Sequence, residues 1–291
     1  MTRAVLLIVC AVLSQTFRSD IDAVTISASI SKGNVPITGL SSTDFRLQDN
    51  AVPQLIESLT VEAVPIDLSL FLDTSGSTAG VQSGMKRALK TIAAMLRPID
   101  RYRVISIGLS VDESVPWQAA GADPALDVRP VEGISLIYDA ITTSLLHQVQ
   151  PGRRHLVVAL TDGMDCGSVI DGPTLVEVSA RTEAVLHVIY SRGQGSLDPN
   201  GVIAWCTPHD GGQVDYVERA ANRTGGGTHS SVFGDPTVRE FSKILADFRA
   251  SYVLRYSPRG VSRAGWHAVT VDVPNIPGAS VRARPGYFVA R

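Results

Sequence analysis

The sequence predicts an α/β fold: a doubly wound, mainly parallel sheet with helices on both faces, plus a small β-sandwich-like domain formed by the N- and C-terminal flanks. Three observations predict it. Short apolar runs alternate with amphipathic stretches through the middle of the chain, the pattern of buried parallel strands covered by helices. Both ends alternate polar and apolar residues around Gly, Pro and Asn, as half-buried strands do. The chain has 291 residues, 44% of them hydrophobic, enough for one medium domain and a smaller one.

In the middle region, strands are expected at residues 66–72, 102–109, 155–160 and 184–190, each a short apolar run. Three helices are expected between and after them. "SGMKRALKTIAAMLRP" places Met85, Leu89, Ile92 and Leu96 on one face, with Pro98 as a stop. "SLIYDAITTSLLHQV" does the same with Ile137, Ile141, Leu145 and Val149. "DPTVREFSKILADFRAS" opens on Asp235 as a cap and Pro236 in the first turn, then repeats Val238, Phe241, Leu245 and Phe248.

The flanks have a strand texture. "AVTISASISKGNVPITGL" alternates around a Gly-Asn turn, "FRLQDNAVPQLIESLTV" continues it, and "SYVLRYSP", "WHAVTVDVP" and "VRARPGYFVA" are strands split by Pro and Gly. Neither flank is long enough to bury a sheet alone, so the two are expected to combine around an inserted α/β unit. The expected divisions are a signal peptide at 1–16, an N-terminal β segment at 17–62, the α/β domain at 63–250 and a C-terminal β segment at 251–291.

"MTRAVLLIVCAVLSQT" has a basic residue, an apolar run and then small or polar residues, the order of an export leader. The run is too short to span a bilayer, and Cys10 is not preceded by the small residue a lipid anchor needs. A secreted, periplasmic or cell-surface location is therefore expected. With the leader removed, Cys166 and Cys206 remain as a pair that either bonds or stays as two thiols. The net charge of -2, with both signs interspersed, gives no basic face for nucleic acid.

Candidate chemistry begins at "IDLSLFLDTSGSTAG". An apolar strand ends on Asp73, and Ser75 and Ser77 follow at spacings of two. In an open parallel sheet the usable crevice lies outside the carboxyl ends of the strands. A carboxylate and two hydroxyls there form a hard, oxygen-only surface suited to Mg²⁺, or to Mn²⁺ or Ca²⁺. More ligands are needed, and "VVALTDGMD" offers Asp162 while "EGISLIYDA" offers Ser135. The bland alternative makes Asp73 a turn or cap residue and the serines mere turn formers, but it leaves Asp162 and Ser135 unaccounted for.

Taken together, these segments resemble the von Willebrand factor type A domain and its metal-ion-dependent adhesion site. Asp73, Ser75 and Ser77 match that family's first motif, Asp162 its second acid, and Ser135 stands where the family usually has Thr. "VPITGLSSTDFRLQDNAVPQ", "YVLRYSP" and "VRARPGYF" resemble the flanks of the bacterial proteins of this kind described from Acidobacteria. The resemblance implies a protein-binding, adhesion-type module without enzymatic activity, whose cation takes a carboxylate from an Asp or Glu of a protein partner.

Other readings are weaker. Six histidines show no paired zinc spacing, and there is no Gly-x-Ser-x-Gly elbow or phosphate loop. A metal-dependent hydrolase would need a positioned base that does not stand out, and a structural surface component would use the metal only to stiffen loops. The turn-rich stretch 191–213 is expected either to shape a binding surface or to be mobile, with Asp165 and Trp205 on the ligand rim, although a partly buried loop tryptophan is the plainer reading of Trp205. "TGGGTHS" reads as the turn before a late strand.

Overall fold

The computed structural model describes residues 23–33, 35–61, 64–74, 82–121, 135–161, 163, 165–191, 215–232 and 234–290. The proposed leader lies outside them, as do Ser75, Ser77, Asp162, Trp205 and Cys206.

The centre is a six-stranded sheet built from β6 (Ile66–Asp73), β7 (Arg101–Ile107), β8 (Val111–Ala119), β9 (Arg154–Thr161), β10 (Val185–Ser191) and β11 (Gly227–Ser231). Its spatial order is β11-β10-β9-β6-β7-β8, and every pair is parallel except β7 with β8. The two strands at its middle explain the apolar runs. β6 is buried at every position and β9 at all but its first, because helices cover both faces.

Alternation assigns those faces. Ile66, Leu68, Leu70 and Leu72 pack with Leu89, Ile92, Phe241, Ile244 and Leu245, so α1 (Gln82–Ala94) and α5 (Asp235–Ala250) cover one side. Phe71, Val157 and Ala159 pack with Ile137, Ile141, Leu175, Val217 and Ala221 on the other, under α2 (Ile137–Leu145), α3 (Gly172–Ser179) and α4 (Tyr216–Thr224). The fold is thus an α/β sheet wound on both sides.

Two sequence expectations shift at element ends. The second helix stops at Leu145, so Val149 falls outside it; the Leu146 N–H still reaches the Thr142 carbonyl at 3.0 Å, but the His147 N–H turns to the Ser144 carbonyl at 3.0 Å and the ladder ends. Gly234, not Asp235, is the residue before α5, and Asp235 sits in its first turn where a carboxylate favours the helix dipole. β8, α3 and α4 were not expected.

The flanks form the remaining strands: β1 (Val24–Lys32), β2 (Val35–Pro36), β3 (Arg46–Asp49), β4 (Val52–Gln54) and β5 (Ser58–Thr60) before the central sheet, and β12 (Tyr252–Tyr256), β13 (Gly265–Asp272), β14 (Ser280–Ala283) and β15 (Gly286–Val289) after it. They cross-pair. One sheet runs β14-β1-β12-β5 with β2 on β1, and the other runs β15-β13-β3-β4. Both sheets feed one apolar cluster that includes Ile26, Ile30, Leu47, Leu254, Val269 and Tyr287. At its centre Asp49 is fully buried and accepts hydrogen bonds from Tyr256 Oη at 2.9 Å and Tyr287 Oη at 2.8 Å, with His267 Nδ1 2.8 Å from its other oxygen.

Candidate functional site

Asp73 is the last residue of β6, and its neighbours across the sheet are Ile107 of β7 and the end of β9. The chain is held as it leaves the strand. Thr74 donates to the Ile107 carbonyl from its N–H at 2.8 Å and from its hydroxyl at 2.9 Å, which fixes where the following segment begins.

Two hydroxyls close on the Asp73 carboxylate. Ser135 Oγ donates to Oδ1 at 3.0 Å, and Thr161 Oγ1 donates to Oδ2 at 2.8 Å. All three groups are buried, Asp73 and Thr161 at 0% exposure and Ser135 at 4%. A carboxylate in that position has lost most of its water, and two charge-assisted hydrogen bonds offset part of that loss. The hydroxyl protons point at Asp73, so the lone pairs on Ser135 and Thr161 face elsewhere; one on Thr161 accepts from the Gly163 N–H at 3.0 Å, and the rest can serve a cation.

A second set of contacts holds Ser135 in place. The Ser135 carbonyl accepts from the Cys166 N–H at 3.0 Å. Asp165 Oδ1 accepts from the Tyr138 N–H at 3.0 Å and from Ser168 Oγ at 2.6 Å. In return Asp139 accepts from the Val169 N–H at 3.0 Å and the Ile170 N–H at 2.9 Å. The start of α2 and the loop after β9 are therefore clasped from both sides. Asp165 is 5% exposed and lies inside this clasp. Cys166 is disulfide-bonded, which ties the same loop covalently.

Thr161 was overlooked in the sequence, although "LTDG" carries it. The signal was its place one residue before Asp162, at the end of a strand that runs beside β6. Gly163 completes the turn: it has φ +91, its N–H donates to Thr161 Oγ1 at 3.0 Å, and a β-carbon there would come 2.6 Å from Tyr190 Cε1. Only glycine meets both demands. Tyr190 donates to both oxygens of Asp215, and burial, then Asp215, pushes its pKa up.

Of the five proposed ligands the structure thus brings Asp73 and Ser135 together and adds Thr161. Ser75, Ser77 and Asp162 lie outside the described residues. Among the described residues no group of three or more His, Cys, Asp and Glu gathers as a metal site. The donor set is one carboxylate with hydroxyls, the chemistry that suits a hard divalent cation and not zinc-type thiolate or imidazole binding. None of the hydrogen bonds described at Asp73 comes from His or Cys.

The α/β unit is von Willebrand factor type A-like: a parallel sheet with one antiparallel edge, and an acid at the tip of a central strand met by hydroxyls from a neighbouring strand and from the entry to a helix. No family model and no curated protein matches the chain. Solved structures do. An aerotolerance-related membrane protein from Bacteroides fragilis is similar at 15% identity and a TM-score of 0.46, over 63% of this chain and 98% of that one. The ArnB paralog VWA2 from Sulfolobus acidocaldarius is similar at 11% identity and a TM-score of 0.48, over 89% of this chain and 74% of that one. Proximal thread matrix protein 1 from the mussel byssus, with a zinc-occupied MIDAS motif, is similar at 15% identity and a TM-score of 0.46, over 69% of this chain and 49% of that one. These are similarities to folds; the reading of the site rests on the residues around Asp73.

Proposed function

We propose that the chain is an exported, non-enzymatic binding module of the adhesion type, in which a divalent cation at Asp73 receives a carboxylate from a protein partner. The observation that carries this reading is the pairing of both Asp73 oxygens with hydroxyls from two other segments. Asp73, Ser135 and Thr161 would hold or orient the cation, with Ser75, Ser77 and Asp162 completing the set. Mg²⁺ is the favoured ion, since it keeps few protein carboxylates and takes the rest of its shell from outside. Two acids leave the centre near neutral, so an incoming Asp or Glu is still attracted.

The flank sheets are read as a β-sandwich-like unit that carries the α/β unit and orients its carboxyl edge. An export leader at 1–16 and a Cys166–Cys206 bond belong to the same reading. Among the described residues no helix is long and apolar enough to cross a membrane.

Selection of a random peptide library on the immobilised chain in Mg²⁺, with elution by chelator, tests the proposal. Enrichment of Asp or Glu at one position is the expected result. Peptides that lack an acid, or that stay bound in chelator, would overturn it.

A further inference from the structure

Away from Asp73, two histidines face each other at the edge of the central sheet. His187 Nδ1 lies 3.0 Å from His229 Nε2, His187 on β10 and His229 on the edge strand β11. His187 is 2% exposed. In a neutral pair one imidazole donates and the other accepts. One added proton brings a positive charge into this buried place, and a second leaves two donors confronting each other.

The pair lies where the flank chain meets the α/β unit. α4 ends in a left-handed cap at Gly225, φ +84, and a β-carbon there would lie 2.7 Å from the Arg284 backbone nitrogen. At Gly226 it would lie 1.8 Å from the Leu186 carbonyl oxygen. The Gly run of "TGGGTHS" is therefore a close-approach surface: β10 presses on one glycine and the end of β14 on another. The Arg282 side chain of β14 reaches over Gly227, 3.9 Å from where a β-carbon would stand, and it pairs with Asp247 of α5 at 3.3 Å.

The charged groups that act on the pair are Arg282 from β14 and Glu240, Lys243 and Asp247 from α5. Arg282 opposes protonation of both rings, Lys243 opposes that of His229, and Glu240 and Asp247 favour that of His229. Burial is the largest influence on each, and it holds both in the neutral form.

We propose that His187 and His229 form an acid-operated latch: protonation of the pair frees the edge strand β11 and loosens the seat of β14 on the α/β unit, while the central strands β6, β7 and β9 stay closed. This inference is independent of whether the Asp73 site binds a cation.

Hydrogen exchange on the whole chain at about pH 7.5 and about pH 5, corrected for intrinsic amide rates, is the test. Amides of β11 and β14 are expected to exchange about tenfold faster at the lower pH, a larger change than in β6, β7 and β9, which feel only the acid destabilisation of the whole fold. In His229→Gln, which keeps a hydrogen-bonding group but leaves only His187 to take up a proton, that response should be diminished. A wild-type response that is absent, or spread equally over the central strands, would overturn the latch, as would an undiminished response in His229→Gln. If that variant does not fold, Arg282→Gln decides instead. Loss of the opposing charge should raise the midpoint of the β11 response by about half a pH unit, and an unmoved midpoint contradicts the proposal.

Discussion

The Thr161 hydroxyl stands 2.8 Å from Asp73 Oδ2, reaching from the end of one parallel strand to the end of its neighbour. It fixes one carboxylate oxygen while Ser135 fixes the other, and so sets the direction in which Asp73 can offer its electrons. Thr161→Val keeps the shape of the side chain and removes that bond. Affinity for Mn²⁺ should fall about tenfold or more, the usual cost of losing a group that orients a metal ligand. Thr161→Ser should keep most of it. Calorimetric titration of the three proteins distinguishes these outcomes.

Gly163 gives a second prediction for the same turn. Its positive φ and the Tyr190 ring beside it leave no room for a side chain. Gly163→Ala should cost about 2 kcal/mol, from backbone strain together with the shift forced on Tyr190. Urea unfolding measures the loss, and a change within about 0.5 kcal/mol would show that the turn relaxes freely.

The Asp49 cluster predicts stability instead of binding. Asp49→Ala takes away the acceptor shared by the Tyr256 and Tyr287 hydroxyls and His267 Nδ1, strands Tyr256, and leaves Tyr287 and His267 only each other at 3.1 Å. About 3 kcal/mol of stability should be lost, because each stranded donor keeps its desolvation cost. Cation binding at Asp73 should be unaffected in the folded fraction, since the cluster lies among the flank sheets.

Acid should destabilise the protein through its histidines. Burial lowers the pKa of His147, His155, His187 and His229 below the ordinary 6.5, and holds His155 at about 3. The unfolded chain therefore binds protons before the folded one does. This stabilisation is complete above pH 6.5 and is lost as pH falls toward about 3, the His155 value. Thermal melting at stepped pH should show the midpoint falling below about pH 6.5, and His155→Gln should make the slope shallower. A midpoint flat down to about pH 4 would contradict this.

What the sequence disclosed depended on whether a residue's surroundings were local. β6 and β9 were legible because burial on both faces makes a continuous apolar run, and α5 because Phe241, Leu245 and Phe248 repeat at helical spacing. α3 was not, since its eight residues start at Gly172 and Pro173 and its N-cap, Asp171, reads like any turn residue. β8 was missed because it is an edge strand with few buried positions and a proline within it.

The site divides in the same way. Asp73 and Ser135 carry short motifs, and the structure joins them at 3.0 Å. Thr161 acts through a contact 88 residues away in sequence, and its one local signal was its place beside Asp162 at a strand end. Asp165 looked like a rim residue because it follows the motif closely. Its partners, Tyr138 and Ser168, make it part of the clasp on α2.

The central claim is that Asp73 anchors a divalent cation. Its most direct test is calorimetric titration of Mn²⁺ into the wild type and Asp73→Ala, with both proteins shown to be folded. One saturable site in the wild type, absent from the variant, is the predicted result. No heat of binding in the wild type, or an equal affinity in the two proteins, would contradict the account.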